Sequence, residues 1–125
     1  MKSIAIGLAT LLATAAAAYA MEPAKLMEGK SGKIWTDEKG MTLYTFDKDK
    51  KNESNCYDKC AKAWPPLAAG ADAKAMGEWA IVERKDGTKM WAYEGHPLYT
   101  YVDDKAPGDM KGEGKGGVWH VAKEE

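Results

Sequence analysis

Hydrophobic and polar residues alternate in short runs along most of this chain, the period of half-buried β-strands. Lys33 to Thr36 and Thr42 to Phe46 are rich in β-branched and aromatic residues. Asp37-Glu38-Lys39-Gly40 between them carries turn chemistry, so the pattern predicts a hairpin. Trp79 to Arg84 and Thr88 to Tyr93 read as a second hairpin about Asp86-Gly87. Glu94-Gly95 then turns the chain into a strand over Pro97 to Val102, and Val118 to Val121 is a candidate closing strand. Within Leu43-Tyr44-Thr45-Phe46, Tyr44 and Phe46 share one face and Leu43 and Thr45 the other; Tyr99 and Tyr101 repeat this against Leu98 and Thr100. Helix is scarce. Asn55 to Ala63 has room for one or two turns, capped by Ser54 or Asn55 and stopped by Pro65-Pro66. Ala68 to Met76 reads as a loose linker or short helix. Lys105 to Gly117, with five glycines and a proline, reads as an irregular loop.

The pattern occurs twice. Lys33-Ile34-Trp35 through Gly40-Met41-Thr42-Leu43-Tyr44-Thr45-Phe46-Asp47-Lys48-Asp49 returns as Lys89-Met90-Trp91 through Gly95-His96-Pro97-Leu98-Tyr99-Thr100-Tyr101-Val102-Asp103-Asp104, with Lys39 dropped in the turn. Upstream, Glu28 to Gly32 falls on Glu83 to Gly87; downstream, Trp64 falls on Trp119. A repeat of this length decides architecture before any local reading does. The expected fold is mostly β: two similar β-hairpin units, residues 27–67 and 82–122, packed as one small domain over residues 21–125, with a short helical turn around the cysteine pair.

Residues 1–20 read as a signal peptide. Lys2 supplies the positive start, Ile4 to Ala18 the apolar stretch and Ala18-Tyr19-Ala20 the small-x-small cleavage site, which places the protein in a periplasmic or secreted compartment. The apolar stretch is short for a membrane span, and no later segment suits one. With Lys2 removed from the 18 basic residues, 17 face 19 acidic ones, a formal net charge of −2. That interspersed balance carries no footprint for nucleic acid.

Candidate chemistry is sparse. Cys56 and Cys60, exported to an oxidising space, point to a disulfide. The spacing suits neither haem attachment nor a thioredoxin-like site, and two thiols alone do not complete a structural zinc site. Asp47-Lys48-Asp49 opens like a calcium loop but lacks its glycine and its final glutamate. A copper site is the alternative: Met41, His96, His120, Cys56 and Cys60 supply soft and imidazole ligands, and Met41 and His96 occupy equivalent positions in the two units. No catalytic motif is present, so no catalytic residue and no cofactor is assigned, and an enzyme of unrecognised type stands as the remoter alternative. The repeated tyrosine and second aromatic are expected to pack against the other unit, and the aspartate to accept amide N–H bonds in the turn that follows. A sugar-stacking platform is the functional alternative for such aromatics; it needs carboxylate or amide groups beside them.

Tyr44-Thr45-Phe46-Asp47-Lys48-Asp49 and Tyr99-Thr100-Tyr101-Val102-Asp103-Asp104 match a Tyr-x-aromatic-x-x-Asp motif. Cys56 to Leu67 fits a Cys-x-x-x-Cys-Ala-x-x-Trp-Pro-Pro-Leu segment. With these features the chain resembles the bacterial secreted and lipoprotein repeat family that carries this motif. The resemblance covers nearly all of residues 21–125. It implies a two-repeat exported protein; the motif residues Tyr44, Phe46, Asp49, Tyr99, Tyr101 and Asp104 read as structural from the packing and turn bonds expected of them. Many members are anchored through a cysteine after the signal; none stands there in this chain. The family's biochemical role is not established. The expected role is therefore a non-enzymatic binding or interaction module of the cell envelope, with an envelope protein or a small ligand as partner.

Overall fold

The computed structural model describes residues 23–30 and 32–124. The proposed signal peptide and its cleavage site lie outside them. Seven short strands and one helical turn follow in order: β1 (Lys25–Gly29), β2 (Gly32–Thr36), β3 (Tyr44–Phe46), α1 (Lys59–Ala63), β4 (Trp79–Glu83), β5 (Lys89–Tyr93), β6 (His96–Pro97) and β7 (Trp119–Val121). A 3₁₀ turn, Lys115–Gly117, precedes β7. The protein is mostly β, as the alternation predicts.

Each repeat opens with an antiparallel hairpin. β1 pairs with β2, Met27 opposite Ile34; β4 pairs with β5, Val82 opposite Met90. Gly32 and Gly87 stand at matched places in the two turns with φ of +111° and +89°, a region open to glycine at little cost. A third segment then folds back on each hairpin. Pro97 meets Ala92 across β5 and β6, and Thr42 meets Thr36 in a single bridge.

The hairpin expected of Lys33–Thr36 with Thr42–Phe46 is corrected here. Only its root forms. β2 takes its full-length partner from β1, and β3 leaves to pair with β7 of the other repeat, Tyr44 opposite Val121. The reason is the neighbour beyond it: the Tyr44 N–H donates to the Tyr99 carbonyl at 2.7 Å, and the Tyr99 N–H returns to the Tyr44 carbonyl at 3.0 Å. This doubly bonded pair marks an approximate twofold axis relating the repeats.

The last segment of each repeat is exchanged. Residues 64–69 of the first bond to the second: Leu67 N–H to the Leu98 carbonyl, Trp91 N–H to the Leu67 carbonyl. Residues 119–124 of the second bond to the first in the same pattern: Ala122 N–H to the Leu43 carbonyl, Trp35 N–H to the Ala122 carbonyl. The chain end is tied accordingly, with Lys123 bridged to Ile34.

Two further expectations change. The helix expected over Asn55 to Ala63 shortens to α1, and its N-cap position is Asp58, which makes no side-chain cap bond; the Ser54 hydroxyl is committed elsewhere. The strand expected over Pro97 to Val102 shortens to β6, because beyond it Tyr99 and Thr100 bond outward to Tyr44 and Pro65. Of the two readings of Ala68 to Met76 the loose linker is the one that forms, with a turn at Ala71-Asp72 and single bridges at Ala68 and Met76.

The alternating faces supply two cores. One, on the axis, gathers Tyr44, Tyr99, Tyr101, Trp64 and Trp119 with Ile34, Met90 and Val82. The other gathers Leu43, Leu98, Trp35, Trp79 and Trp91. Neighbouring residues Leu43 and Tyr44 thus serve opposite cores, as period-two geometry requires.

Candidate functional site

The motif residues meet at the twofold axis and exchange partners across it. The Tyr44 hydroxyl donates to Asp104 Oδ2 at 2.7 Å, and the Tyr99 hydroxyl donates to Asp49 Oδ2 at 2.7 Å. Each aspartate accepts an amide N–H with its other oxygen, from Lys111 to Asp104 and from Asn55 to Asp49. Every repeat therefore supplies a tyrosine to its partner's aspartate and receives one in return. Burial and the adjoining carboxylates push both phenols well above the ordinary tyrosine value. Burial also raises the Asp49 carboxyl above its ordinary value, against the pull of its Tyr99 and Asn55 bonds.

Beside the lock four rings stack in series. Phe46 lies on Trp119 (4.2 Å between centroids), Trp119 on Trp64 (3.8 Å) and Trp64 on Tyr101 (4.1 Å). The axis passes between the two tryptophans. Tyr44 and Tyr99 meet Trp64 and Trp119 edge-on at 5.2 and 5.3 Å.

One half of the lock has an addition that sequence reasoning missed. Arg84 is buried, donates from Nη1 to Ser54 Oγ at 2.8 Å and from Nη2 to the Cys56 carbonyl at 2.8 Å, and lies over the Tyr57 ring. Ser54 Oγ is 2.6 Å from the Tyr99 hydroxyl. With Tyr99 donating to Asp49, Ser54 donates to Tyr99, and the chain Arg84, Ser54, Tyr99, Asp49 is polarised from cation to carboxylate. The signal was available: Arg84 is the chain's single arginine and stands where the first repeat has Gly29.

Cys56 and Cys60 form a disulfide, which leaves neither thiol for a metal. The other ligand candidates take separate places. His96 begins β6, exposed. Met41 is half-buried in the turn after β2, its N–H bonded to Asp37 Oδ1. His120, in β7, sits between Asp47 at 2.9 Å and Glu113 at 3.7 Å, one on each ring nitrogen. The Asp47 bond raises the imidazole above its ordinary value. Among the described residues no three histidine, cysteine or carboxylate side chains gather in a metal-holding arrangement.

Two open hollows occupy positions related by the axis. One, of about 390 Å³, lies against Trp35, Trp79 and Tyr93 with Glu78 and Glu124 at its rim. Its counterpart, of about 410 Å³, lies against Trp91 and Ala24, with Pro23, Asp37, Lys25 and Lys39 around it. Trp35 matches Trp91, Trp79 matches Ala24 and Tyr93 matches Asp37. The same place in the fold is aromatic and acidic in one repeat, small and mixed in charge in the other.

A family model described as a secreted repeat of unknown function matches residues 25–68 and again residues 80–123. No curated protein and no solved structure matches.

Proposed function

This chain belongs to that family of exported repeats, and from this premise we propose that it serves as a non-catalytic binding module of the cell envelope. The observation that carries the reading is the pair of axis-related hollows with unlike linings. The groups that the repeats share, the tyrosines, aspartates and stacked tryptophans, are spent on each other at the axis. Groups that differ between the repeats, Trp79 against Ala24 and Tyr93 against Asp37, face the hollows. A scaffold held rigid at its centre and varied at its surface suits recognition, because a preorganised site loses less entropy on binding.

Native mass spectrometry of the exported protein from its own cells tests the reading. The expected spectrum holds a non-covalent adduct, an organic molecule or a partner protein, that leaves on unfolding. An adduct of copper alone, removed by a chelator, would overturn the module in favour of metal handling. Turnover of a retained molecule during incubation would overturn it in favour of an enzyme.

A further inference from the structure

We propose that the Cys56–Cys60 disulfide is a thiol–disulfide exchange site, opened by a small thiol at Cys60, with Cys56 leaving as a thiolate beside the Arg84 cation. The inference stands apart from the binding-module reading. Three observations carry it. The first is unequal access. Cys56 is 0% exposed, whereas Cys60 is half-buried on α1, between the exposed Lys59 and Lys62. A thiol arriving from solvent meets the Cys60 sulfur, and the two lysines favour an anionic one. The bond thus has one sulfur to attack and one to expel.

The second is the cation behind the expelled sulfur. Arg84 is 4% exposed, and its Nη2 donates to the carbonyl of Cys56 itself at 2.8 Å. Its guanidinium lies 4.2 Å from the ring centre of Tyr57, the next residue of the closed loop. Asp86 is an exposed ion-pair partner at 3.8 Å from Nε, and Asp49 also lies in its field, already bonded to Tyr99 and Asn55. Burial by itself raises a thiol, but a buried cation favours the anion that forms next to it. A thiolate so stabilised is the better leaving group.

The third is what the repeats do not share. The axis-related place holds Gly112 for Cys56 and Gly29 for Arg84. The half with the sulfurs has the cation, and the half without them has neither. The tyrosine lock does not require the arginine, since Tyr44 is held to Asp104 without one.

In the exchange, the incoming thiolate bonds to Cys60 Sγ as the Sγ–Sγ bond breaks, and that bond's electron pair goes to Cys56 Sγ. Cys56 then returns to expel the thiol, or a second thiol takes the first away as a disulfide and leaves both cysteines reduced. The Cys56 carbonyl and the Tyr57 ring stay docked on Arg84, so the loop is held ready to close again.

The test treats the folded mature protein with glutathione, quenches with N-ethylmaleimide in denaturant and maps the products by mass spectrometry. The expected product carries glutathione on Cys60 and maleimide on Cys56, at a rate that rises with glutathione concentration. Arg84→Met should slow the opening by on the order of tenfold, and Arg84→Lys should recover most of the rate. A second measurement separates charge from folding. In Cys60→Ser the single thiol is Cys56; its ultraviolet thiolate absorbance should appear below the free-cysteine value of about 8.5, and move above it when Arg84→Met is added. Glutathione found on Cys56 overturns the proposal. So does opening that follows unfolding instead of glutathione, or a Cys56 thiol at or above the free value with Arg84 in place.

Discussion

Tyr44 and Tyr99 each surrender their phenol hydrogen to a carboxylate sixty or fifty residues away. Removing the Tyr44 hydroxyl strands the buried Asp104, and removing the Tyr99 hydroxyl strands the half-buried Asp49 and the buried Ser54, so Tyr99→Phe should cost about 1–3 kcal/mol in urea unfolding. A double cycle of Tyr44→Phe with Asp104→Ala should show strong coupling, because each single change already breaks the bond. Strictly additive costs would mean the pair does not interact in solution. At the surface, His120 contributes a pH dependence of its own. Its folded value is raised, so the stability it contributes is fully present below the ordinary imidazole value near 6.5 and is lost as pH rises through the higher folded value. With its side chain 42% exposed, the effect is small and screened by salt. An NMR titration should place His120 above a free imidazole, and Asp47→Asn should bring it down; an unchanged midpoint in that variant would assign the shift elsewhere.

At the scale of elements, the two repeats solve one problem differently. Where the first has Cys56, the second has Gly112. A Cβ on Gly112 would meet the Trp64 ring at 2.6 Å and the Tyr44 ring at 3.0 Å, inside the stacked column. Gly112→Ala should therefore cost about 1–3 kcal/mol, since a packed core accepts added volume poorly. A melting temperature unmoved by that change would show the column to be loosely packed. In the first repeat the Cys56–Cys60 bond closes a loop too small to constrain much of the unfolded chain. Its loss should cost about 2 kcal/mol. Reducing agent should lower the urea midpoint yet leave the near-ultraviolet spectrum of the tryptophans native; collapse of that spectrum would give the disulfide a larger part than clipping α1.

For the whole molecule, the exchanged closing segments make the repeats mutually dependent. A fragment ending near Gly70 keeps β1, β2 and β3 but loses residues 119–124, which pair with β2 and β3, and loses Asp104, which accepts from Tyr44. It should not fold as a monomer, because a short hairpin unit buries too little apolar surface alone. Dispersed amide resonances from a monomeric fragment would contradict this.

Much of this was legible in the residues. Repetition, strand alternation and the switch of faces between Leu43 and Tyr44 follow from local pattern, because period-two geometry acts within a few residues. The matched tryptophans and the disulfide follow from register and compartment. The partners of β3 were not legible: Tyr44 to Phe46 suits its own hairpin as well as β7, and only the backbone pair between Tyr44 and Tyr99 decides. Nor was the exchange of tyrosines between aspartates, since each motif looks complete within its own repeat. Arg84 drew no notice because a lone arginine reads as surface until burial gives it Ser54 and the Cys56 carbonyl. The divergence of the two hollows needed the axis itself, which sets Trp79 against Ala24 and Tyr93 against Asp37 as occupants of one place. Short-range forces are written along the chain; which of two equal partners a group takes is settled by packing from both repeats at once.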